Sequence, residues 1–413
     1  MNGRWPVRPL GSLCRIARGG SPRPIQAFLT DTDDGINWIK ISDATASGKY
    51  IYSTVEKIKP SGVSRSRMVK EGDFLLSNSM SFGRPYIMRT MGCIHDGWLV
   101  LSGYQNFFDQ DFLYHLLGSP QVFQQFNQLA AGSTVRNLNI DLASRVQLPI
   151  PSLPEQRRIV AILDEAFDAI ATAKANTEAN WQGARAVLNQ CRDDALSSLA
   201  AEFGTVNLGS VCDFENGDRG KNYPGKQHRV AEGVPFINAG HLTEDGIDFE
   251  SMDYISPERY SLLGNGKIKP RDILFCLRGS LGKFANVGDT PVGAIASSLV
   301  ILRPRSPLYD KYLEIYLASS CCIEMINKYK GGAAQPNLGA KDLKQFVLPL
   351  PPQSLQRQLT ERLDGIKEQT HLLEAIYSEK SAALDELKKS LLHLAFTGQL
   401  TARAADRQLQ AVA

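Results

Sequence analysis

The sequence predicts an α+β protein built by tandem duplication, in which an α+β globular domain followed by a long helix occurs twice. Three observations support this prediction. The chain repeats itself at a separation of about 200 residues, each copy begins with short strand-like runs broken by turn residues, and each copy ends with more than 40 residues of helical periodicity.

The repeat covers the whole chain. The segment "NLNIDLASRVQLPIPSLPEQRRIVAILD" (137–164) returns as "NLGAKDLKQFVLPLPPQSLQRQLTERLD" (337–364), and "LGSLC" (10–14) returns as "LGSVC" (208–212). A solenoid would need several short repeats, so two long ones indicate two copies of one module.

The globular part of each copy is predicted to span residues 1–151 and 204–351. Strand-like runs include "DFLLS" and "WLVLS" in the first copy, and "DILFC" and "SSLVILRP" in the second. A helical stretch follows late in each copy, at 109–129 and at 309–329. Only the first is predicted to break, at Gly118–Pro120.

Beyond each globular part, at 152–203 and in 352–413, the helical period takes over, with Gly204 and Gly398 as predicted helix stops. The 3.5-residue spacing of apolar and small residues predicts that the two helices form a coiled coil. The predicted seam comprises Ile159, Leu163, Ala166, Ile170, Ala173, Ala184, Val187 and Cys191, then Leu359, Leu363, Ile366, Leu373, Tyr377, Leu384, Leu387, Leu391 and Leu394, with Thr177, Asn180, Thr370 and Lys380 as polar interruptions.

Chain connectivity predicts the direction of the helix pair. The first helix leads from the first domain to the second, and the second helix starts at the second domain. If the helices pair, they are antiparallel, and the duplicated chain acquires pseudo-twofold symmetry across the coiled coil.

Composition and missing motifs exclude several classes of protein. No apolar run reaches membrane-spanning length, and the seven cysteines contain no CxxC, so we expect a cytoplasmic protein without a disulfide scaffold or a metal site. The chain has no GxxxxGK[ST] motif, no adenine-methyltransferase motif and no carboxylate–lysine constellation of a nuclease. We therefore expect no catalytic site and no cofactor.

Charge is distributed unevenly between the two domains. Residues 1–151 contain 16 Lys and Arg against 11 Asp and Glu, a net charge of +5, whereas residues 204–351 contain 17 against 16, a net charge of +1. The bases of the second domain are clustered locally, in "DRGKNYPGKQHR" (218–229) and "LRGSLGK" (277–283). Such clusters suit phosphate binding, although an ordinary solvated surface remains the alternative.

The doubled "LPIPSLPEQRRIVAILD" and "LPLPPQSLQRQLTERLD", the preceding "GSTVRNL" and "GGAAQPNL", and the terminal "LKKSLLHLAFTGQL" resemble the DNA-specificity subunit of type I restriction-modification systems. The resemblance implies two target recognition domains, each reading one half of a bipartite double-stranded DNA site. It also implies long helices that separate the domains and dock two methyltransferase subunits, and a protein that recruits two ATP-dependent restriction subunits. The alternative is a coiled-coil scaffold that binds proteins and has no DNA role.

Candidate DNA-binding residues are the Arg, Lys, Asn, Gln, Ser, Thr and His side chains of loops that recur at matching positions in both copies. In the first domain they are Arg15, Arg18, Ser21, Lys40, Ser42, Asn78, Ser81, Arg84, Ser133, Thr134 and Arg136. In the second domain they are Arg219, Lys221, Asn222, Asn238, His241, Arg278, Ser280, Lys283 and Gln335. Among them, we expect Arg136 and Arg278 in particular to contact DNA.

The remaining conspicuous residues have structural interpretations. Trp38 and Trp98 lie in strand-like runs and are predicted to be core residues, and Trp181 is predicted to pack on the first helix or to dock a subunit. Asp73 and Asp272 each precede an apolar run and are interpreted as residues of strand-entry turns, not as catalytic acids.

Overall fold

A computed structural model describes residues 5–78, 83–130, 137–332 and 336–402. The chain divides into two compact units, Met1–Thr177 with Glu379–Ala413, and Glu178–Ser378. Each unit contains one globular domain and a part of each long helix. Five candidate residues, Ser81, Ser133, Thr134, Arg136 and Gln335, lie outside the described residues.

In unit 1 the described part of the globular domain has two five-stranded sheets, ordered β3-β6-β4-β10-β7 and β2-β11-β8-β9-β5, and a small pair, β1-β12. The strands are β1 (Val7–Pro9), β2 (Arg15–Arg18), β3 (Leu29–Thr30), β4 (Ile36–Ile39), β5 (Tyr50–Ile51), β6 (Glu56–Ile58), β7 (Arg67–Val69), β8 (Phe74–Ser77), β9 (Pro85–Met88), β10 (Gly92–Ile94), β11 (Trp98–Ser102) and β12 (Gln147–Pro149). The helices are α1 (Ile41–Ser47), α2 (Gln110–Leu117), α3 (Pro120–Ala130) and α4 (Ile140–Ser144), and the long helix α5 (Leu153–Phe203) follows.

In unit 2 the sheets of the described part have the orders β14-β23-β20-β21 and β15-β19-β16-β22, with the pairs β13-β24 and β17-β18. The strands are β13 (Thr205–Asn207), β14 (Cys212–Asn216), β15 (Arg229–Val230), β16 (Val234–Ile237), β17 (Leu242–Thr243), β18 (Gly246–Ile247), β19 (Tyr254–Ile255), β20 (Ile273–Cys276), β21 (Phe284–Asn286), β22 (Ala294–Ile295), β23 (Leu299–Pro304) and β24 (Val347–Pro349). The helices are α6 (Leu208–Val211), α7 (Pro257–Ser261), α8 (Asp310–Leu317), α9 (Ser320–Tyr329) and α10 (Ala340–Leu343), and the long helix α11 (Gln353–Phe396) follows.

The predicted apolar runs form the buried central strands β8, β11, β20 and β23. Both faces of these strands are covered. Phe74 and Leu76 belong to the core that also holds α2 and α3, whereas Leu75 belongs to a second core on the other face. A strand buried on both sides reads as a continuous apolar run, which is why these segments could be predicted. Trp38 and Trp98 are buried, as predicted.

Turns at both ends of β8 and β20 are duplicated as well. Asp73 and Asp272 each accept a hydrogen bond from the backbone amide three residues earlier, at 3.0 and 2.7 Å, which confirms the strand-entry turns. At the other end, Gly83 and Gly282 have φ of +81° and +84°. A Cβ there would lie 2.8 Å from Phe126 and 2.7 Å from Ile326, so the aligned glycines share one steric reason.

The helical stretch 309–329 was expected to be one helix, and this prediction is wrong. The structure breaks it between α8 and α9, as it breaks the first copy between α2 and α3. Ser319 replaces the Gly–Pro signal. Its buried hydroxyl donates to the Tyr316 carbonyl at 2.6 Å and accepts from the Cys322 amide at 3.2 Å, which ends one helix and caps the next.

The two long helices have 51 and 44 residues, and both end where predicted, with Gly204 and Gly398 at φ of +72° and +77°. They pack against each other in opposite directions. In unit 1 the start of α5 and the end of α11 share one core, and Lys174 pairs with Asp385 at 2.6 Å. In unit 2 the Arg185–Glu374 pair continues the same register at 2.6 Å.

In the middle of the helices, the buried positions differ from those of the predicted seam. Val187 and Leu387 are 58% and 47% exposed, whereas Trp181 is half-buried under the Arg185 guanidinium. Thr177 and Thr370, which were predicted to interrupt the apolar seam, are buried. Burial is tolerated because each hydroxyl donates to the carbonyl four residues earlier, at 2.7 and 2.9 Å. Threonine thus occupies buried seam positions without an unsatisfied hydroxyl.

Candidate nucleic-acid interface

Four loops meet at one end of the central strands in each globular domain. The loop after β8 donates from the Asn78 amide to the Gly97 carbonyl at 3.0 Å, and the Leu138 amide donates to the Asn78 carbonyl at 2.9 Å. In unit 2 the Leu277 amide donates to Ser298 at 2.8 Å, and Leu338 donates to Leu277 at 2.9 Å. We call each set the loop surface: residues 18–23, 77–78, 83–84, 95–98 and 137–142 in unit 1, and 216–222, 276–283, 296–298 and 337–342 in unit 2.

The first loop of each surface approaches the third through a glycine. A Cβ on Gly19 would lie 2.0 Å from the His95 carbonyl oxygen, and one on Gly217 would lie 2.6 Å from the Ala296 carbonyl oxygen. Any side chain would therefore push these loops apart. The sequence contains this signal as a glycine in "ARGGS" and in "FENGD".

In unit 1 the loop surface is organised by Asp96. Its carboxylate accepts from the Ser21 hydroxyl at 2.6 Å, which is the main reason that the pKa of this carboxyl lies below its usual value. Its backbone carbonyl accepts from the Arg18 Nε at 2.9 Å and from the Asn78 Nδ2 at 2.8 Å. Three candidates, from two separate segments of the sequence, therefore converge on one residue.

A cleft of about 570 Å³ opens beside this network and contains Ser21 and Lys40. The complete lining is Ser21, Pro22, Arg23, Ile25, Gln26, Leu29, Trp38, Lys40, Glu56 and His95. Lys40 pairs with Glu56 at 2.5 Å, so much of its charge is already neutralised within the protein. Burial lowers the pKa of His95, which favours the neutral imidazole at pH 7.

In unit 2 a cleft of about 350 Å³ lies elsewhere on the loop surface, between Arg219 and Arg278. Its complete lining is Asn216, Arg219, Leu277, Arg278, Asn337, Leu338, Gly339, Ala340, Lys341 and Asp342. Arg278 is exposed and its backbone bridges to Asn337, while the Arg219 guanidinium donates to the Ser297 carbonyl at 3.3 Å. Neither arginine has an ion pair within the described residues, so both charges can reach an anion.

Other candidates are placed differently. Arg15 pairs with Ser102 at the far end of β2, away from the loop surface. His241 is buried, and Asn238 is committed to a turn, because its Oδ1 accepts from the Gly240 amide at 2.7 Å. The Asn222 amide donates to the Leu262 carbonyl at 3.0 Å. The structure thus gives these three polar residues internal partners.

The remaining candidates are exposed. Ser42 lies on α1, Arg84 follows Gly83, and Lys221 and Ser280 lie in the loops of unit 2. The Lys283 ammonium donates to the Ala239 carbonyl at 3.2 Å. Contact between any of these residues and DNA stays a prediction.

Sequence reasoning missed two basic residues, one in the first loop surface and one beside it. Arg67 donates to the Arg18 carbonyl at 2.5 Å, and Arg23 lies 3.6 Å from the Asp96 carboxylate. The "SRSR" run at 64–67 was the available signal, but its position beside the first loop depends on pairing between β7 and β10. Within the described residues, no cluster of three or more His, Cys, Asp or Glu could hold a metal ion.

The comparisons with known proteins agree with this architecture. A family model for the type I restriction modification DNA specificity domain matches residues 2–179 and 201–379. The chain is 22% identical over 438 residues to the specificity subunit of the type I restriction enzyme EcoKI from Escherichia coli, covering 97% of this chain and 90% of the relative. The MjaIX specificity subunit of Methanocaldococcus jannaschii is also 22% identical, with 90% of each covered.

Two solved structures share the fold along almost the entire chain. A chain from a type I restriction-modification system, studied for complex assembly and conformational transition, superposes with a TM-score of 0.74 at 22% identity, covering 96% of this chain and 98% of that one. The HsdS subunit of Thermoanaerobacter tengcongensis superposes with a TM-score of 0.57 at 22% identity, covering 97% and 98%.

A duplicated α+β domain joined to a pair of long helices, with paired loop surfaces, defines a two-domain protein of the specificity-subunit class. The chain belongs to the type I restriction-modification DNA specificity family, and the predictions of a specificity subunit and of its fold are confirmed. In this family the subunit serves DNA target recognition. No helix of the described residues is both long and apolar enough to cross a membrane.

Proposed function

We propose that this chain reads a bipartite double-stranded DNA target, one half-site with each loop surface. The observation that supports this most strongly is the convergence of four loops, in both units, at the same end of the same strands. Arg219 and Arg278 leave their charges available to phosphate or to guanine, which arginine recognises with two hydrogen bonds.

We further propose that the long helices dock two methyltransferase subunits and, in the restricting complex, two ATP-dependent restriction subunits. Adenine methylation by S-adenosylmethionine would then take place in the partner. Exposed apolar side chains on the helices support a docking role, among them Val187, Leu372 and Ile376, which are 58%, 63% and 48% exposed. The purified chain alone should turn over no S-adenosylmethionine.

The alternative, a coiled-coil scaffold without a DNA role, is favoured by the low net charge of residues 204–351. The arrangement of charge argues for DNA binding instead. Four bases of this domain lie in loops that align with loops of the first domain, whereas a scaffold needs no such correspondence; they are Arg219, Lys221, Arg278 and Lys283.

The proposed function is tested by mapping the methylated adenines across a genome. The full chain, co-expressed with its cognate methyltransferase subunit, should methylate adenines within one two-part motif of fixed spacing. Omitting this chain should abolish that methylation. Methylation of a continuous motif, or methylation that does not require this chain, would contradict the proposal.

A further inference from the structure

We infer that a duplicated set of side chains at the start of each long helix orients the adjoining recognition domain and thereby fixes the spacing of the half-sites. The set consists of Gln156, Arg157 and Asp164 in α5 and of Gln356, Arg357 and Asp364 in α11, and we call it the helix clasp. The inference rests on the proposed bipartite reading of DNA.

The glutamines form the centre of the clasp. Gln156 and Gln356 are both fully buried, an unusual environment for this residue type. Gln156 accepts from the Asp109 amide at 2.7 Å and donates to the carbonyls of Phe107 and Pro151, at 2.8 and 2.9 Å. One side chain therefore ties the start of α5 to the segment that leads into α2.

Gln356 repeats the arrangement bond for bond. It accepts from the Tyr309 amide at 2.8 Å and donates to the carbonyls of Pro307 and Pro351, at 3.2 and 2.9 Å. All six partners of the two glutamines are backbone atoms, so the glutamine bonds do not depend on side chains of the recognition domain. A domain whose sequence diverges can still be held at the same angle.

The arginine that follows each glutamine contacts the residue just before helix α2 or α8, but through a different interaction in each unit. Arg157 lies 3.9 Å from the Asp109 carboxylate, whereas Arg357 stacks over the Tyr309 ring at 4.3 Å. The aligned residues differ, Asp109 in one copy and Tyr309 in the other, yet an arginine contacts each of them. The attachment is therefore present in both copies although its partner differs.

A second point of contact lies two turns along each long helix. Asp164 meets the His115 ring at 3.0 Å, and Asp364 meets the Lys311 ammonium at 3.8 Å. A domain held at two separated points of a stiff helix cannot swivel about either of them.

The experiment compares Gln156→Met and Gln356→Met with matched exposed positions on the same helices, Gln182→Met and Gln369→Met. The full chain with its methyltransferase subunit is supplied with plasmids in which the wild-type half-sites are separated by the native spacer and by one base pair more or less. Wild-type methylation is mapped first. If it shows no two-part motif, the proposed function fails before the clasp is tested.

We expect both clasp variants to keep both half-site sequences and to methylate the altered spacings about tenfold more, relative to the native spacing, than wild type, a factor that corresponds to ~1.4 kcal/mol. The controls should retain the wild-type profile. A clasp that only stabilises the fold would lower the yield or the rate and leave the profile unchanged, and that result would overturn the inference. If the methionine variants do not fold, Arg157→Ala and Arg357→Ala, which leave the glutamine bonds intact, decide the matter by the same profile.

Discussion

The two recognition domains agree where they meet the helices and differ where they present their loops. The clasp glutamines and the glycines behind each loop surface are identical in the two copies, and the buried central strands recur at aligned positions. The loop surfaces are not: Asp96 gathers Ser21, Arg18 and Asn78 in unit 1, whereas unit 2 has Ser297 at the aligned position and leaves Arg278 without an ion pair within its described part. One scaffold thus carries two unlike loop surfaces, as the proposed reading of two half-sites requires.

The largest effect should come from lengthening the scaffold without touching either loop surface. One heptad inserted after Thr177 and one after Ser378 preserve the seam and add roughly 10 Å at ~1.5 Å per residue. That length is about three base-pair steps of ~3.4 Å. Methylome mapping should show a longer spacer between unchanged half-sites. An unchanged spacer would mean that the helices only dock partners.

Inserting residues just before Gly204, at the end of α5, is less suitable. Leu196 and Leu199 pack into the core of unit 2, and the Asp193 carboxylate accepts from the Ser320 amide at 3.0 Å. The end of the helix is therefore held by the domain that follows it. An insertion there would strain those contacts instead of moving the domain cleanly.

Next in size are the exposed arginines of the two loop surfaces. Arg84→Ala and Arg278→Ala should each weaken binding of the assembled complex to its target by roughly 1–3 kcal/mol if the side chain reads a base, and should relax specificity in one half-site only. Lys70→Ala and Lys269→Ala are matched controls, because these aligned lysines lie at the opposite ends of β8 and β20. Equal losses for all four variants would point to general electrostatics instead of reading by the loops.

A third comparison tests whether the scaffold is equivalent in the two units. Gly83→Ala and Gly282→Ala both place a methyl group at positive φ and within 3 Å of the facing helix, on Phe126 and Ile326. Each should lower the free energy of unfolding by about 1–3 kcal/mol. Gly103→Ala, also at positive φ but with open space around it, should cost less. Denaturant unfolding of the complex would measure all three, and a loss confined to one unit would argue against equivalence.

The smallest effect concerns pH. Burial is the main reason that the pKa of His115 lies below its ordinary value, against the opposing hydrogen bond to Asp164. The unfolded state therefore binds more protons below the ordinary pKa of ~6.5, and stability should fall as the pH drops through that value. Ile315 occupies the aligned position in unit 2. Hydrogen exchange at pH 7.5 and 5.5 should show α2 losing more protection than α8, and His115→Ile should remove part of the difference. The remainder is expected from His95, whose pKa burial also lowers.

The scaffold could be predicted from sequence because its signals are local or repeated. Continuous apolar runs identified β8 and β20, and Gly204 and Gly398 marked the helix ends. The predicted seam was wrong near Val187, because the small and polar residues of that region fit two heptad registers almost equally well. The break before α9 was missed because Ser319, unlike Gly118 and Pro120, is a weak signal without its buried partners.

The candidate site could be predicted only as a set of loops. Arg18, Ser21 and Asn78 were singled out separately, and their common partner, Asp96, depends on how three loops meet in space. Arg15 was chosen for its sequence neighbourhood, but β2 carries it to the far end of the sheet. His241 is polar in sequence and buried in the fold. Loop residues acquire their roles from long-range packing, which spacing along the chain does not encode.

The most direct test of one scaffold carrying two recognition surfaces is an exchange of one domain. Residues 204–351 would be replaced by the corresponding segment of a relative with a different target, and the clasp would accept it because Gln356 binds backbone atoms. Methylome sequencing of the chimera should show one half-site changed, with the other half-site and the spacer retained. A change in both half-sites, or in the spacer, would contradict the account.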